Sequence, residues 1–432
     1  MDETTHSQAT VSHHGRSRPQ GPVHRSDRRW QEPLAAALLV VATAAHAAAD
    51  EKRLRGVGAA MQEMVDAGEI AGAVTVVVGR DGILHLESTG RADIASDRPM
   101  TPDTLFWIAS MTKPVTGAAI ATLIDEGRIS IDDPVERFVP EFANLSFADL
   151  GTASGRPARI TIRQILTHTS GLGEAPVAAT RAASTLADLV PAWLAAPMKN
   201  LPGEKWAYTQ SGINLAGRIV EVVSGRPFDA FLQERFFDPL GMVDTTFYPT
   251  EAQRARLATA YLRTRDSGHL QPVPPRAEYG VRPSPPQGNG GLYSTPQDYT
   301  RFVRMLLNRG MLDGRRYLGE AGMQALSTVQ TGDLPTGFFQ APEYGGRGSN
   351  YGWGLGTCVL RAPHDGVAAM LSPGTFGHGG AWGTQAWVDP VREVAYVLMV
   401  QRANFPNSDA SDVRRRFQEA AAAALFPGNA GH

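Results

Sequence analysis

Strand-forming patterns lie near the two ends of this chain and are scarce between them. Near the start, Val74–Val78 and Ile83–Leu86 are β-rich runs joined by Gly79-Arg80-Asp81-Gly82. Asp-Gly there supplies the positive φ that a tight turn needs. Near the end, Tyr351–Leu360, Gly383–Val388 and Val394–Gln401 read as three further strands. The middle is mostly short helices and loops, with helices predicted over Ile162–Leu166, Leu186–Leu194, Gly212–Val223, Phe228–Phe236 and Gln297–Leu307. The stretch Pro272–Gly291 carries many prolines and glycines without periodicity, which predicts a long loop. Amphipathic helices stand at both ends of the pattern. One runs from Glu51, with Leu54, Val57, Met61, Met64 and Val65 on its apolar face until Gly68 stops it; the other covers Val413–Leu425.

Terminal helices and strands around a helical middle predict an α+β fold. The expected form is an α/β/α sandwich: an antiparallel sheet built from both chain ends, flanked by helices, with a helical domain inserted. The sheet part covers about 50–110 and 350–426, and the helical part about 111–290, of one domain spanning 50–426. Residues 427–432 are a tail. The site is expected in the cleft between the two parts.

Composition narrows the partners. The formal net charge of −2 gives no electrostatic footprint for nucleic acid. The single cysteine, Cys358, excludes an internal disulfide, and no Cys/His spacing suits zinc. Its neighbours Gly356-Thr357-Cys358-Val359-Leu360 read as a strand, so the thiol is expected in the core. Residues 1–49 read as a disordered leader with a signal peptide. The apolar run Leu34–Ala45 follows Arg28-Arg29 and precedes Ala45-His46-Ala47, a small-residue cleavage pattern. That run is too short for a stable membrane span. A periplasmic or secreted location follows if the leader acts as a signal, and a cytoplasmic one if it does not.

The chemistry centres on Phe106-Trp107-Ile108-Ala109-Ser110-Met111-Thr112-Lys113. Ser110 and Lys113 stand three positions apart at the head of an apolar helical pattern, so both side chains fall on one helix face. The chain has 41 basic residues, and its only lysines are Lys52, Lys113, Lys199 and Lys205. Arginine serves where charge alone matters; an amine that must lose its proton cannot be replaced that way. A second candidate is Tyr208, in the polar loop Lys205-Trp206-Ala207-Tyr208-Thr209-Gln210-Ser211-Gly212 ahead of a helix. A third is Phe376-Gly377-His378-Gly379-Gly380-Ala381-Trp382-Gly383, a Gly-rich entry to a strand that puts His378 in a turn and whose glycines allow close approach of a ligand to free amide groups.

These three stretches, in this order, resemble the serine β-lactamase and penicillin-binding protein superfamily, especially class C β-lactamases, D,D-peptidases and family VIII carboxylesterases. Leu166-Thr167-His168-Thr169-Ser170-Gly171-Leu172, Pro239-Leu240-Gly241-Met242 and Gly288-Asn289-Gly290-Gly291-Leu292-Tyr293-Ser294-Thr295 are similar to it as well. The resemblance spans about 51–426 and implies a β-lactamase/transpeptidase-like fold without metal or organic cofactor. Ser110 becomes the acylated nucleophile, Lys113 its base and Tyr208 a proton relay. The N–H groups of Ser110 and Ala381 form the oxyanion hole, with His378, Gly379, Gly380, Gln210 and Trp382 around the substrate. Trp206, Phe376 and Trp382 would line an acyl pocket.

Two positions depart from the family pattern. Gln210 stands where its tripeptide ends in Asn, and His378 where β-lactamases place a carboxylate-binding Lys. Both changes weaken recognition of anionic β-lactams. The expectation is a serine hydrolase acting as a carboxylesterase on short-chain esters. The alternatives are a class C-like β-lactamase or D,D-carboxypeptidase acting on β-lactams or peptidoglycan peptides, and a non-catalytic peptidoglycan-binding or assembly module. No Gly-x-Ser-x-Gly elbow occurs, so His168 is read as structural rather than as a triad base. Asp132-Asp133, ahead of Pro134, is expected to cap a helix.

Overall fold

One sheet of eight strands joins the two ends of the chain. In chain order its strands are β1 (Gly72–Gly79), β2 (Ile83–Asp93), β3 (Arg98–Pro99), β4 (Tyr351–Trp353), β5 (Cys358–Leu360), β6 (Phe376–Gly379), β7 (Gln385–Asp389) and β8 (Val394–Met399). The spatial order is β4-β5-β6-β7-β8-β1-β2-β3, antiparallel throughout. The two chain ends meet at the β8–β1 seam, where Val74 lies opposite Met399 and Gly79 opposite Val394. The computed structural model describes residues 54–145, 159–264, 266, 268–274, 280, 282–337 and 346–427. The leader over 1–49, the expected helix start at Glu51 and residues 428–432 of the tail lie outside these.

Strands β1 and β8 are buried on both faces, which is why they read as nearly unbroken apolar runs. Successive side chains still alternate. Val74, Val76 and Val78 pack with Val397 and Met399 into one core, whereas Ala73 and Val77 join Tyr396 and Leu398 in another. Among the described residues, the helices longer than ten residues are α1 (54–66), α2 (Thr112–Asp125), α3 (Ser211–Ser224), α4 (Pro296–Leu307) and α5 (Asp412–Leu425). The first core takes α2, α3 and α4 and the inserted segment; the second takes α1 and α5. The result is the α/β/α arrangement expected.

Helix α2 is buried from Thr112 to Leu123, so it carries no polar face. It packs closely enough that a Cβ on Gly117 would lie 1.9 Å from the Leu355 carbonyl oxygen. The head of α2, where Lys113 sits, is therefore held by backbone and not only by side chains.

Four expectations change. Tyr351–Leu360 is not one strand but the hairpin β4–β5, closed by Gly354 N–H to Thr357 O at 2.8 Å. Gly356 takes a φ of 71°, and a Cβ there would sit 2.5 Å from Lys113 O, so the glycines serve a turn docked on α2. His378 is not in a turn but in β6, paired between β5 and β7. Asp132 and Asp133 cap no helix: Asp132 pairs with Arg163, while Asp133 accepts from Ser130 N–H and pairs with Arg137. The inserted helices also run past residue 290, through α4 to Glu320–Ser327.

Candidate active site

Ser110 lies in a single 3-10 turn, Ala109–Met111, between a short strand (Phe106–Trp107) and α2. Ala109 has a φ of 45°, a left-handed conformation that costs a non-glycine residue about 1 kcal/mol or more. The surroundings hold it there. Thr112 Oγ1 donates to Ala109 O at 2.7 Å and accepts from Leu292 N–H at 3.1 Å, while Tyr299 Oη donates to Met111 O at 2.8 Å. The turn's hydrogen bond runs from Met111 N–H to Ile108 O, which leaves the Ser110 amide ahead of the bonded turn.

Lys113 is wholly buried. Its Nζ lies 3.1 Å from Ser110 Oγ, 3.0 Å from Gln210 Oε1 and 2.6 Å from Asn289 O. Two acceptors thus engage two of its N–H bonds, so that in the neutral amine the lone pair would face Ser110. Burial holds the amine well below its ordinary value of 10.5, and the charge of Glu174 opposes that shift. Tyr208 Oη lies 3.0 Å from Ser110 Oγ and 3.5 Å from His378 Nε2, and its ring centroid is 4.7 Å from Lys113 Nζ.

The fold brings Ser110, Tyr208, Gln210, Gly379 and Ala381 around one cavity of about 310 Å³, which Phe405–Asp409 also line. Other expected site residues stand back from it. His378 is 2% exposed and packs against Tyr208, with Nδ1 2.6 Å from Gly379 O. A carbonyl only accepts, so Nδ1 carries the proton and Nε2 presents a lone pair. Burial, then the charge of Lys113, pushes the imidazole down to about 3, so it is neutral at working pH. Gly380 N–H is bonded to Thr384 O at 2.7 Å. Trp382 turns away from the catalytic cavity to pair with Trp107, ring centroids 5.4 Å apart, on a separate cavity of about 240 Å³. Trp206 packs behind Tyr208, and Phe376 lies on a third cavity, so none of the three aromatics lines the space beside Ser110.

Sequence reading missed several contributors. Asn289 holds Gln210 through Nδ2 at 2.9 Å; it lay in the Gly-Asn-Gly-Gly stretch, without an assigned role. Glu174 accepts from Gln210 N–H (2.7 Å), Ser211 N–H (3.0 Å) and Ser211 Oγ (3.0 Å), fixing the start of α3. It carried no motif at all.

A family model described as beta-lactamase matches residues 57–421. The chain belongs to the β-lactamase family. It is an enzyme, a serine hydrolase. Protein Rv1367c of Mycobacterium tuberculosis is 35% identical over 83% of this chain and 92% of its own length. Esterase EstB of Burkholderia gladioli is 31% identical over 77% of this chain and 86% of its own. Among solved structures, simvastatin synthase LovD from Aspergillus terreus, in its selenomethionyl form, superimposes with a TM-score of 0.70 at 26% identity. The match covers 87% of this chain and 98% of that one. The β-lactamase-family fold is shown by these likenesses together with the sheet order.

In this hydrolase no group of three or more His, Cys, Asp or Glu side chains suited to a metal occurs among the described residues. None of their helices is long and apolar enough to cross a membrane. A base role for Lys113 requires the neutral amine, so if it is the base kcat/KM is expected to rise with pH through a limb below the ordinary lysine range. Replacing Glu174 by Gln removes a charge that favours the ammonium, and the limb should move to lower pH. A pH profile in which the limb stays put or rises would contradict that coupling.

Proposed function

We propose that this chain is a carboxylesterase cleaving short-chain esters through an acyl-enzyme on Ser110. Lys113 takes the Ser110 proton as the ester carbonyl is attacked, and the N–H groups of Ser110 and Ala381 stabilise the oxyanion. Tyr208 carries protons to the leaving alcohol and from the deacylating water. Gln210 and Asn289 hold the lysine amine in line. The supporting observation for an ester rather than an anionic lactam or peptide is the charge of the cavity. No Lys or Arg lines it among the described residues, its ionisable carboxyl is Asp409, and His378 is neutral and buried against Tyr208. A substrate carboxylate would find no cation there.

The test is turnover of p-nitrophenyl butyrate, nitrocefin and a D-Ala-D-Ala peptide side by side. Ester turnover should dominate; nitrocefin turnover far above it would overturn the reading. A fluorophosphonate that fails to label Ser110 would instead favour a non-catalytic binding module. Export through the leader is part of the same proposal, supported by the run Leu34–Ala45 ahead of Ala45-His46-Ala47. A cytoplasmic chain with an intact leader in cell fractionation would exclude it.

A further inference from the structure

We propose that His168 is a positioning residue that holds Tyr208 in line with Ser110, a role that rests on the relay reading of Tyr208. His168 follows the short helix Ile162–Leu166 and is fully buried at a φ of 60°, a conformation non-glycine residues rarely adopt. It grips the chain on both sides of the tyrosine. Its backbone oxygen accepts from Ala207 N–H at 2.8 Å, and its Nδ1 accepts from Thr209 N–H at 3.2 Å. Its ring also lies against that of Tyr208, centroids 4.4 Å apart.

The tautomer follows from these contacts. A backbone amide can only donate, so Nδ1 is the lone-pair nitrogen and the imidazole proton sits on Nε2. Nε2 is buried and has no hydrogen-bond partner among the described residues. The ring meets Trp353 and Trp206 nearly at right angles, at 74° and 78°. A buried donor without an acceptor is a cost that an apolar side chain of similar size would avoid. What the histidine offers in return is the Nδ1 acceptor at Thr209, beside the tyrosine that bonds Ser110. Burial, followed by the charge of Lys113, keeps the imidazole well below its ordinary range, so the acceptor persists at working pH.

The role separates from simple packing in a double-mutant cycle. His168→Leu should lower kcat on ethyl butyrate about 100-fold, with KM changed less than about threefold, because small misplacements of a reacting group cost that much. His168→Asn should recover activity to within about tenfold, since Oδ1 can accept from Thr209 N–H and Asn tolerates positive φ. In a Tyr208→Phe background, His168→Leu should cost less than about threefold. Fully additive losses, or a His168→Leu enzyme with intact kcat, would overturn the inference while leaving the relay reading in place. Wild-type kcat in Tyr208→Phe alone would sink the relay reading and the inference with it. If His168→Leu does not fold, nitrogen chemical shifts of His168 in the wild-type enzyme decide. The proton should reside on Nε2 throughout pH 5 to 9, and a proton found on Nδ1 would refute the grip on Thr209.

Discussion

Replacing Lys113 by Arg should abolish acylation of Ser110, lowering kcat/KM for p-nitrophenyl butyrate by about 10⁴-fold, although a basic side chain is kept. The argument is one of protons. Lys113 Nζ has two fixed acceptors, Gln210 Oε1 and Asn289 O, besides Ser110 Oγ. A neutral amine satisfies both and retains a lone pair for the serine proton. A guanidinium satisfies them and retains nothing, since it stays protonated in proteins. It is also bulkier, and the Lys113 side chain it would replace is wholly buried. The measurement is stopped-flow acylation with fluorophosphonate labelling of Ser110 as the parallel readout. Near-normal labelling of Lys113→Arg would refute the lysine as base. Weak labelling with an unchanged unfolding midpoint would place the loss in chemistry rather than in folding.

How far this site could be read from residues depends on the range of each contact. Ser110 and Lys113 share one helical turn, so their spacing alone placed them together. The strands β1 and β8 were legible for a similar local reason: buried on both faces, Val74–Val78 and Val394–Met399 are almost continuously apolar. The β4–β5 hairpin was not, because Gly354 and Gly356 interrupt an apolar run without a strong turn signal, and the reasons for them are close approaches of Gly354 to Leu326 and of Gly356 to α2 from far along the chain. His378 was placed in a turn because Phe376-Gly377-His378-Gly379 offers one large apolar side chain on which to read alternation. Glu174 fixes Gln210 from 36 positions away and Asn289 reaches Lys113 across 176. Contacts of that range leave no periodic trace. The direction of Trp382 likewise depends on Trp107, which only the fold brings to it.

Replacing Tyr208 by Phe should cost about 10² to 10³ in kcat on an alkyl ester such as ethyl butyrate, and roughly tenfold less on p-nitrophenyl butyrate. The difference is the diagnostic. Tyr208 Oη is 3.0 Å from Ser110 Oγ, placed to protonate whatever group departs from the acyl carbon. An ethoxide needs that proton to leave, whereas p-nitrophenolate departs without it. The phenyl ring left behind keeps the contacts with His168 and Trp353, so the variant should fold with an unchanged thermal midpoint. The lost hydroxyl leaves His378 Nε2, 3.5 Å away, without that donor, but the imidazole is held by Gly379 O and stays neutral. His378 therefore cannot take over as an acid at working pH. Equal losses on the two esters would remove Tyr208 from leaving-group protonation and confine it to orienting Ser110. A larger loss on the p-nitrophenyl ester would contradict the assignment outright.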